Sequence, residues 1–250
     1  MQAQCEAKNH ALVLEDCNLE ATVNAIIEST YGCAGMRCMA LPVVVVQESI
    51  ADEFVALYKK KAEAMVIGCA YDENTKLGPV VSAKHKEKIC NWIQTGIDEG
   101  AELVLDGRNV VVPGYQKGFF VGPAILDHVK PGMIVGDCEI FGPVTCIKRV
   151  KDYDEGIAVM NANPFANGSS IFTSSGYYSR KFVMDTDGGM VEINVGIPVP
   201  SAYFPFFGDC HVLGKDGVHF FTRAETVTTH WFDENAGKRK EGTWEGSTEQ

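Results

Sequence analysis

Four consecutive valines, Val43-Val44-Val45-Val46, narrow the fold of this chain more than any other stretch. A strand with one wet face alternates apolar and polar residues, because successive side chains point to opposite faces. An unbroken β-branched run instead calls for cover on both faces, which is the situation of a parallel strand between helical layers. The spacing predicts this strand over Met39 to Val46. A helix precedes it from Asn18, a good N-cap, with Val23, Ile26, Ile27 and Tyr31 at helical spacing and an end near Gly32 to Gly35. Further helices are predicted over about Ser49 to Met65 and Ala83 to Glu99. Short apolar runs at Leu103 to Leu105, Phe119 to Leu126, Val144 to Val150, Ser170 to Thr173 and Met190 to Val195 read as strands. Alternating helices and strands predict a three-layer α/β/α domain with a mostly parallel sheet. Residues 1–200 are expected to form it. Residues 201–232 form a C-terminal segment with a strand signal at Val218 to Thr222, and residues 233–250 a polar tail.

Composition removes several classes of function. The chain is 46% hydrophobic, enough for a sizeable core, so disorder is not the default. A net charge of −11 opposes nucleic acid as the main partner, whose phosphates select basic surfaces. No apolar run reaches the roughly 18 to 20 residues of a membrane span, and Met1 to Glu6 lack the basic start of a signal or transit peptide, so a cytoplasmic protein is expected, with the mitochondrial matrix open for a eukaryote. Nine cysteines without a Cys-x-x-Cys pair or clustered His-Cys spacing argue against both a disulfide framework and a structural metal. Neither a Gly-x-Gly-x-x-Gly fingerprint nor a phosphate loop is present.

The chemistry-bearing candidate is Gly35-Met36-Arg37-Cys38, where a helical pattern gives way to the valine strand. A fixed cation beside a thiol favours the thiolate, the nucleophilic form. By itself the pair is equally a buried small hydrophobe next to a surface ion pair.

In combination the motifs become specific. Tyr31-Gly-Cys-Ala-Gly-Met-Arg-Cys38, Leu77-Gly-Pro-Val80, Gly118-Phe-Phe-Val-Gly-Pro-Ala-Ile-Leu126, Glu139-Ile-Phe-Gly-Pro-Val144, and Asn163-Pro-Phe165 with Ile171-Phe-Thr173 follow in one order. That series resembles the catalytic half of the aldehyde dehydrogenase superfamily. Ala7-Lys-Asn-His10, Arg37-Cys-Met-Ala40, Asn194 and Ile197-Pro-Val-Pro200 resemble its coenzyme-A-acylating methylmalonate-semialdehyde group in particular. The resemblance implies Cys38 as the nucleophile that forms a thiohemiacetal, with its backbone N–H as one oxyanion donor. The second donor of the family comes from a half not matched here. Glu139 and Phe141 are implied to hold the nicotinamide ribose of NAD, although Phe141 also reads as a turn aromatic packed into a core. Arg37 is implied to receive the carboxylate of malonate or methylmalonate semialdehyde, which its planar fork suits, or else to form a surface ion pair. Asn194 is implied to border the substrate tunnel, or it caps a strand end. Gln4 stands where hydrolytic relatives carry a glutamate base, so coenzyme A thiol rather than water is implied as the acyl acceptor.

The departures are as specific. Glu6 replaces a glycine, Met36 stands where many relatives have glutamine, and Phe204 to Asp209 shorten a segment rich in serine and glycine. The family's enzymes are about twice as long, the unmatched part carrying the dinucleotide domain, so NAD binding is expected to be weak or absent here. Two readings stand. The chain is the catalytic domain of an acylating semialdehyde dehydrogenase working with a separate cofactor-domain chain, or it is an idle homologue serving as an interaction module. Both predict self-association or a partner, through the strand at Val218 to Thr222 or an exposed apolar patch.

Overall fold

The structure, a computed structural model, describes residues 6–165, 167–199, 201, 203–204 and 213–231. Its elements are His10–Val13 (β1), Leu19–Tyr31 (α1), Val43–Gln47 (β2), Glu48–Glu63 (α2), Ala83–Asp98 (α3), Glu102–Leu105 (β3), Ala124–Asp127 (β4), Ile134–Asp137 (α4), Val144–Val150 (β5), Tyr153–Asn161 (α5), Gly168–Phe172 (β6), Gly176–Asp185 (α6), Met190–Ile193 (β7) and Gly214–Phe221 (α7). The strands form one sheet in the order β3-β4-β5-β2-β1-β6-β7, with only β3 antiparallel to its neighbour.

The valine run is the middle of that sheet. Val43 to Val46 have no exposed surface, and β2 pairs in parallel with β1 on one side and β5 on the other. Its ladder starts at Val43 rather than Met39, because Pro42 has no N–H to donate. Side-chain alternation assigns the layers. Thr145 of β5 bonds Tyr31 of α1 and Tyr58 of α2, which puts these two helices on one face. On the other face Leu12 packs against Gly156 of α5 and Leu126 against Gly96 of α3. The expected three layers are therefore present.

Local signals set the helix starts. Asn18, Ser82, Asp152 and Ser175 each accept a hydrogen bond from a backbone N–H in the first turn of α1, α3, α5 and α6. Two strand expectations need correction. Of the Phe119 to Leu126 run only the last three residues are strand, as the start of β4 (Ala124–Asp127); upstream, Gly122 donates to Gly107 and Pro123 cannot donate, so pairing begins after them. The strand expected at Val218 to Thr222 is instead part of α7, in which Val218 and Phe221 stand one turn apart. A short apolar run has no periodicity that separates the two conformations.

Register brings four segment starts together. His10 of β1 pairs with Val43 of β2 and Ser169 of β6, and Val43 pairs with Cys146 of β5. The residues just before these strands, Asn9, Met39–Pro42, Gly142-Pro143 and Asn167, therefore line one end of the sheet.

Candidate active site at the amino-terminal ends of the central strands

Cys38 sits in a turn at that end, and its side chain is exposed. After α1 the chain winds through a 3-10 turn, Gly32–Gly35, in which Cys33 and Ala34 adopt left-handed conformations. Gly35 follows at φ +68°, and a Cβ there would overlap the carbonyl of Gly142. The turn leading to Cys38 is thus seated directly on the Glu139-Ile-Phe-Gly-Pro143 segment, with no room for any residue but glycine at position 35. Gly142 is in turn pressed against Ile89 of α3.

Glu139 lies half-buried at this edge. Burial pushes its carboxyl above the usual range, opposed by the Ala7 backbone N–H, reinforced by Glu6, and opposed again by Lys8 and Lys88. Phe141 has φ +59° and is 37% exposed as a residue, so it is not the core-packed turn aromatic that the sequence also allowed. Its carbonyl bonds His85 Nε2 of α3 at 2.7 Å, and the His85 ring meets the Phe141 ring edge-on at 6.2 Å.

Arg37 turns back onto α1. Its Nη2 donates to Ser29 O at 2.6 Å, where the cation also meets the negative end of the helix dipole, while Nε is buried and has no partner among the described residues.

Beneath the turn lies a polar segment that the sequence reading treated only as a family marker. Lys8 is completely buried and donates Nζ to Val135 O at 2.9 Å. Burial holds its pKa below the ordinary lysine value, with Lys148 adding to the effect and Cys146, Cys138 and Asp137 opposing it. His10 Nδ1 lies 2.8 Å from Lys8 O, which can only accept, so Nδ1 carries the proton. Burial, then the Lys148 charge, keeps this histidine at about 3 and therefore neutral at physiological pH. Between them Asn9 bonds the carbonyls of Cys38 and Ala40 at 2.9 and 2.7 Å.

Asn194 is elsewhere. At φ +57° it ends β7, donating to Thr173 O and accepting from Thr173 N, both at 2.9 Å. Thr173 follows β6, whereas Asn167, near Cys38, precedes it; the separation is about 20 Å at about 3.3 Å per residue. The structure does not bring Asn194 to the Cys38 turn. It reverses the chain, so that Val195 O meets Ser170 Oγ and Ile197 returns to Gly168 and Met39 at the cysteine end.

Gln4 lies outside the described residues. Among the described residues, no cluster of three or more His, Cys, Asp or Glu could hold a metal ion, and all seven cysteines are free. No described helix is long and apolar enough to cross a membrane.

An exposed cysteine turn, seated through a glycine on a Glu-x-Phe-Gly-Pro segment at the end of a parallel sheet, is a specific arrangement. The Aldehyde dehydrogenase family model matches residues 1–227. The chain belongs to the aldehyde dehydrogenase family. Within it, the chain is 45% identical over 238 residues to malonate-semialdehyde dehydrogenase 2 of Oceanobacillus iheyensis, covering 92% of this chain and 49% of that protein. It is 46% identical over 243 residues to the mitochondrial acylating methylmalonate-semialdehyde dehydrogenase of Arabidopsis thaliana, covering 93% and 39%. Among solved structures, the methylmalonate-semialdehyde dehydrogenase of Oceanimonas doudoroffii superposes with a TM-score of 0.87 at 38% identity, over 92% of this chain and 49% of that one. A Sinorhizobium meliloti protein assigned to the same activity and complexed with NAD gives 0.86 at 38% identity, over 91% and 48%. The chain spans about half the length of the relatives it matches.

Proposed function

We propose that this aldehyde dehydrogenase chain carries the catalytic residues of an NAD-dependent, coenzyme-A-acylating malonate- or methylmalonate-semialdehyde dehydrogenase. The observation that supports this most is the seating of the Cys38 turn on the segment bearing Glu139 and Phe141. Cys38 Sγ adds to the aldehyde carbon, and its proton leaves to solvent or a nearby base. The backbone N–H of Cys38 faces the charge that develops on oxygen. NAD, when bound, accepts the hydride. An exposed Phe141 ring and a Glu139 carboxylate on the same edge suit the chemistry of a nicotinamide ribose, the ring by packing and the carboxylate by accepting from hydroxyls. Arg37 is assigned to the substrate carboxylate, which its planar fork suits, with Nη2 held by Ser29 O and Nε without a partner among the described residues. Asn194 contributes indirectly, by returning Ile197 to the cysteine end.

Loss of carbon dioxide leaves an electron pair on the α-carbon, which takes up a proton. Coenzyme A thiolate then attacks the thioester and releases Cys38. An amide at Gln4 cannot act as the base for water, which supports thiol as the acceptor. The remaining dinucleotide contacts are assigned to the part of the relatives that this chain does not cover.

An NAD-reduction assay with malonate semialdehyde and coenzyme A tests the reading, run on the chain alone and with a cofactor-domain partner. NADH should form in the mixture and be lost with Cys38→Ser. A mixture of two folded chains that yields none would overturn it. The interaction-module reading is favoured by the exposed side chains of Tyr203, Phe221 and Trp231, and stable association without NADH formation would select it.

A further inference from the structure

We infer that Asn9 is the positioning residue of the nucleophile: a buried amide clamp that sets the peptide plane of Cys38 and ties it to the start of β6. The inference rests on the reading of Cys38 as nucleophile. Asn9 is 1% exposed and uses its whole hydrogen-bonding capacity on backbone. Nδ2 donates to Cys38 O at 2.9 Å and to Ala40 O at 2.7 Å, while Oδ1 accepts from Asn167 N at 3.1 Å and Gly168 N at 2.9 Å. The amide orientation is not ambiguous, because the two carbonyls can only accept and the two N–H groups can only donate.

The clamp reaches three segments. Its own backbone leads into β1, its donors hold both ends of the Cys38-Met39-Ala40 stretch, and its acceptor holds the first residues of β6. Fixing Cys38 O fixes the peptide that follows the cysteine, leaving Sγ with little freedom beyond rotation about χ1. Asn167 Nδ2 approaches the same carbonyl at 3.5 Å and adds little. The neighbours keep the clamp in place: Lys8 anchors to Val135 O and His10 to Lys8 O, so the strand cannot slide without breaking buried bonds.

No other side chain fits all four partners. Aspartate keeps the acceptor for Asn167 and Gly168 but turns a charge toward two carbonyls, alanine loses everything, and glutamine is one methylene too long. Misplacing a reacting atom by about 1 Å costs about 100-fold in rate, so a clamp of this kind bears on reactivity and not only on stability.

The test needs neither turnover nor a cofactor. Iodoacetamide alkylation of the chain is followed by mass spectrometry for Cys38 and for Cys33, an exposed thiol five residues earlier that Asn9 does not bond, across pH 6 to 9. In Asn9→Asp and Asn9→Ala the ratio of Cys38 to Cys33 rates should change by about fivefold or more, and its pH profile should shift, while Cys33 alone stays within about twofold. Asn167→Ala, which keeps its backbone N–H, should leave the ratio within about twofold. A ratio unchanged in both Asn9 variants, or parallel changes at Cys33 and Cys38, would overturn the inference. So would failure of both variants to fold, which assigns Asn9 to fold maintenance alone. An altered ratio without NADH formation in the assay above would instead leave the clamp standing and count against the proposed function.

Discussion

Cys38 and Arg37 are adjacent in sequence but do different work. The thiol is exposed at the rim of the sheet, whereas the guanidinium is folded onto the last turn of α1 with one nitrogen spent on Ser29 O. Adjacency alone could not separate these fates, because neighbouring side chains diverge and each meets what the fold puts there. The other thiols offer a comparison. Burial pushes the pKa of Cys17, Cys90 and Cys146 up, and Cys146 is wholly enclosed. Since the thiolate is the reactive form and Cys38 is exposed, iodoacetamide at pH 7.5 should label these three at least about tenfold more slowly than Cys38. Peptide mapping over time checks the order, and Cys38 among the slow group would count against its proposed role as nucleophile.

At the scale of elements, β7 is an edge strand of the sheet. It pairs only with β6, opposite Ser170, and carries Glu192, whose Oε2 is buried with no hydrogen-bond partner among the described residues. Burial alone pushes this carboxyl from 4.5 up to about 7. The sign follows from linkage: the folded state holds the proton more tightly than the unfolded chain, so the contribution is full below about pH 4.5 and is lost as pH rises through about 7. Glu192→Gln should therefore be more stable than the parent at pH 8, by about 1 kcal/mol after discounting for solvent reach at this partly open site, and nearly unchanged at pH 5. Urea unfolding at the two pH values checks this, and an equal pH dependence in both proteins would contradict it. The short helices α5 and α6, capped by Asp152 and Ser175, were not read from the sequence, whereas the start of α1 was legible because a cap is a local signal, as Asn18 shows. The conformation of 218–222 was not, because Val218, Phe220 and Phe221 satisfy a short strand and a short helix equally well.

At the scale of the molecule, the candidate site occupies the amino-terminal ends of β1, β2, β5 and β6, where the segments leading into the strands converge. Open α/β sheets more often bind ligands at the carboxyl ends. Here the candidate chemistry comes from turns before the strands, so under the proposed function a dinucleotide is met from outside the sheet, at Glu139 and Phe141. In that reading these residues contact one end of a dinucleotide only, and the chain has no Gly-x-Gly-x-x-Gly turn for its pyrophosphate. Titration calorimetry of the chain alone should give weak or undetectable NAD binding, and micromolar affinity would show that these contacts suffice.

By itself the sequence determined the layered α/β class, the first three long helices and the motif that carries Cys38, because burial periodicity and capping are written over a few consecutive residues. The tertiary structure decided what those residues face. It turned Arg37 onto α1, put Asn194 at the far end of β6, made a helix of 214–221 and closed Asn9 around the carbonyl of Cys38. The last of these depends on backbone groups brought from far along the chain, across the 158 residues that separate Asn9 from Asn167. Such partners are chosen by sheet register, which no local pattern contains. The Arg37-Cys38 pair could be found in the sequence; the amide that holds the cysteine still could be found only in the fold.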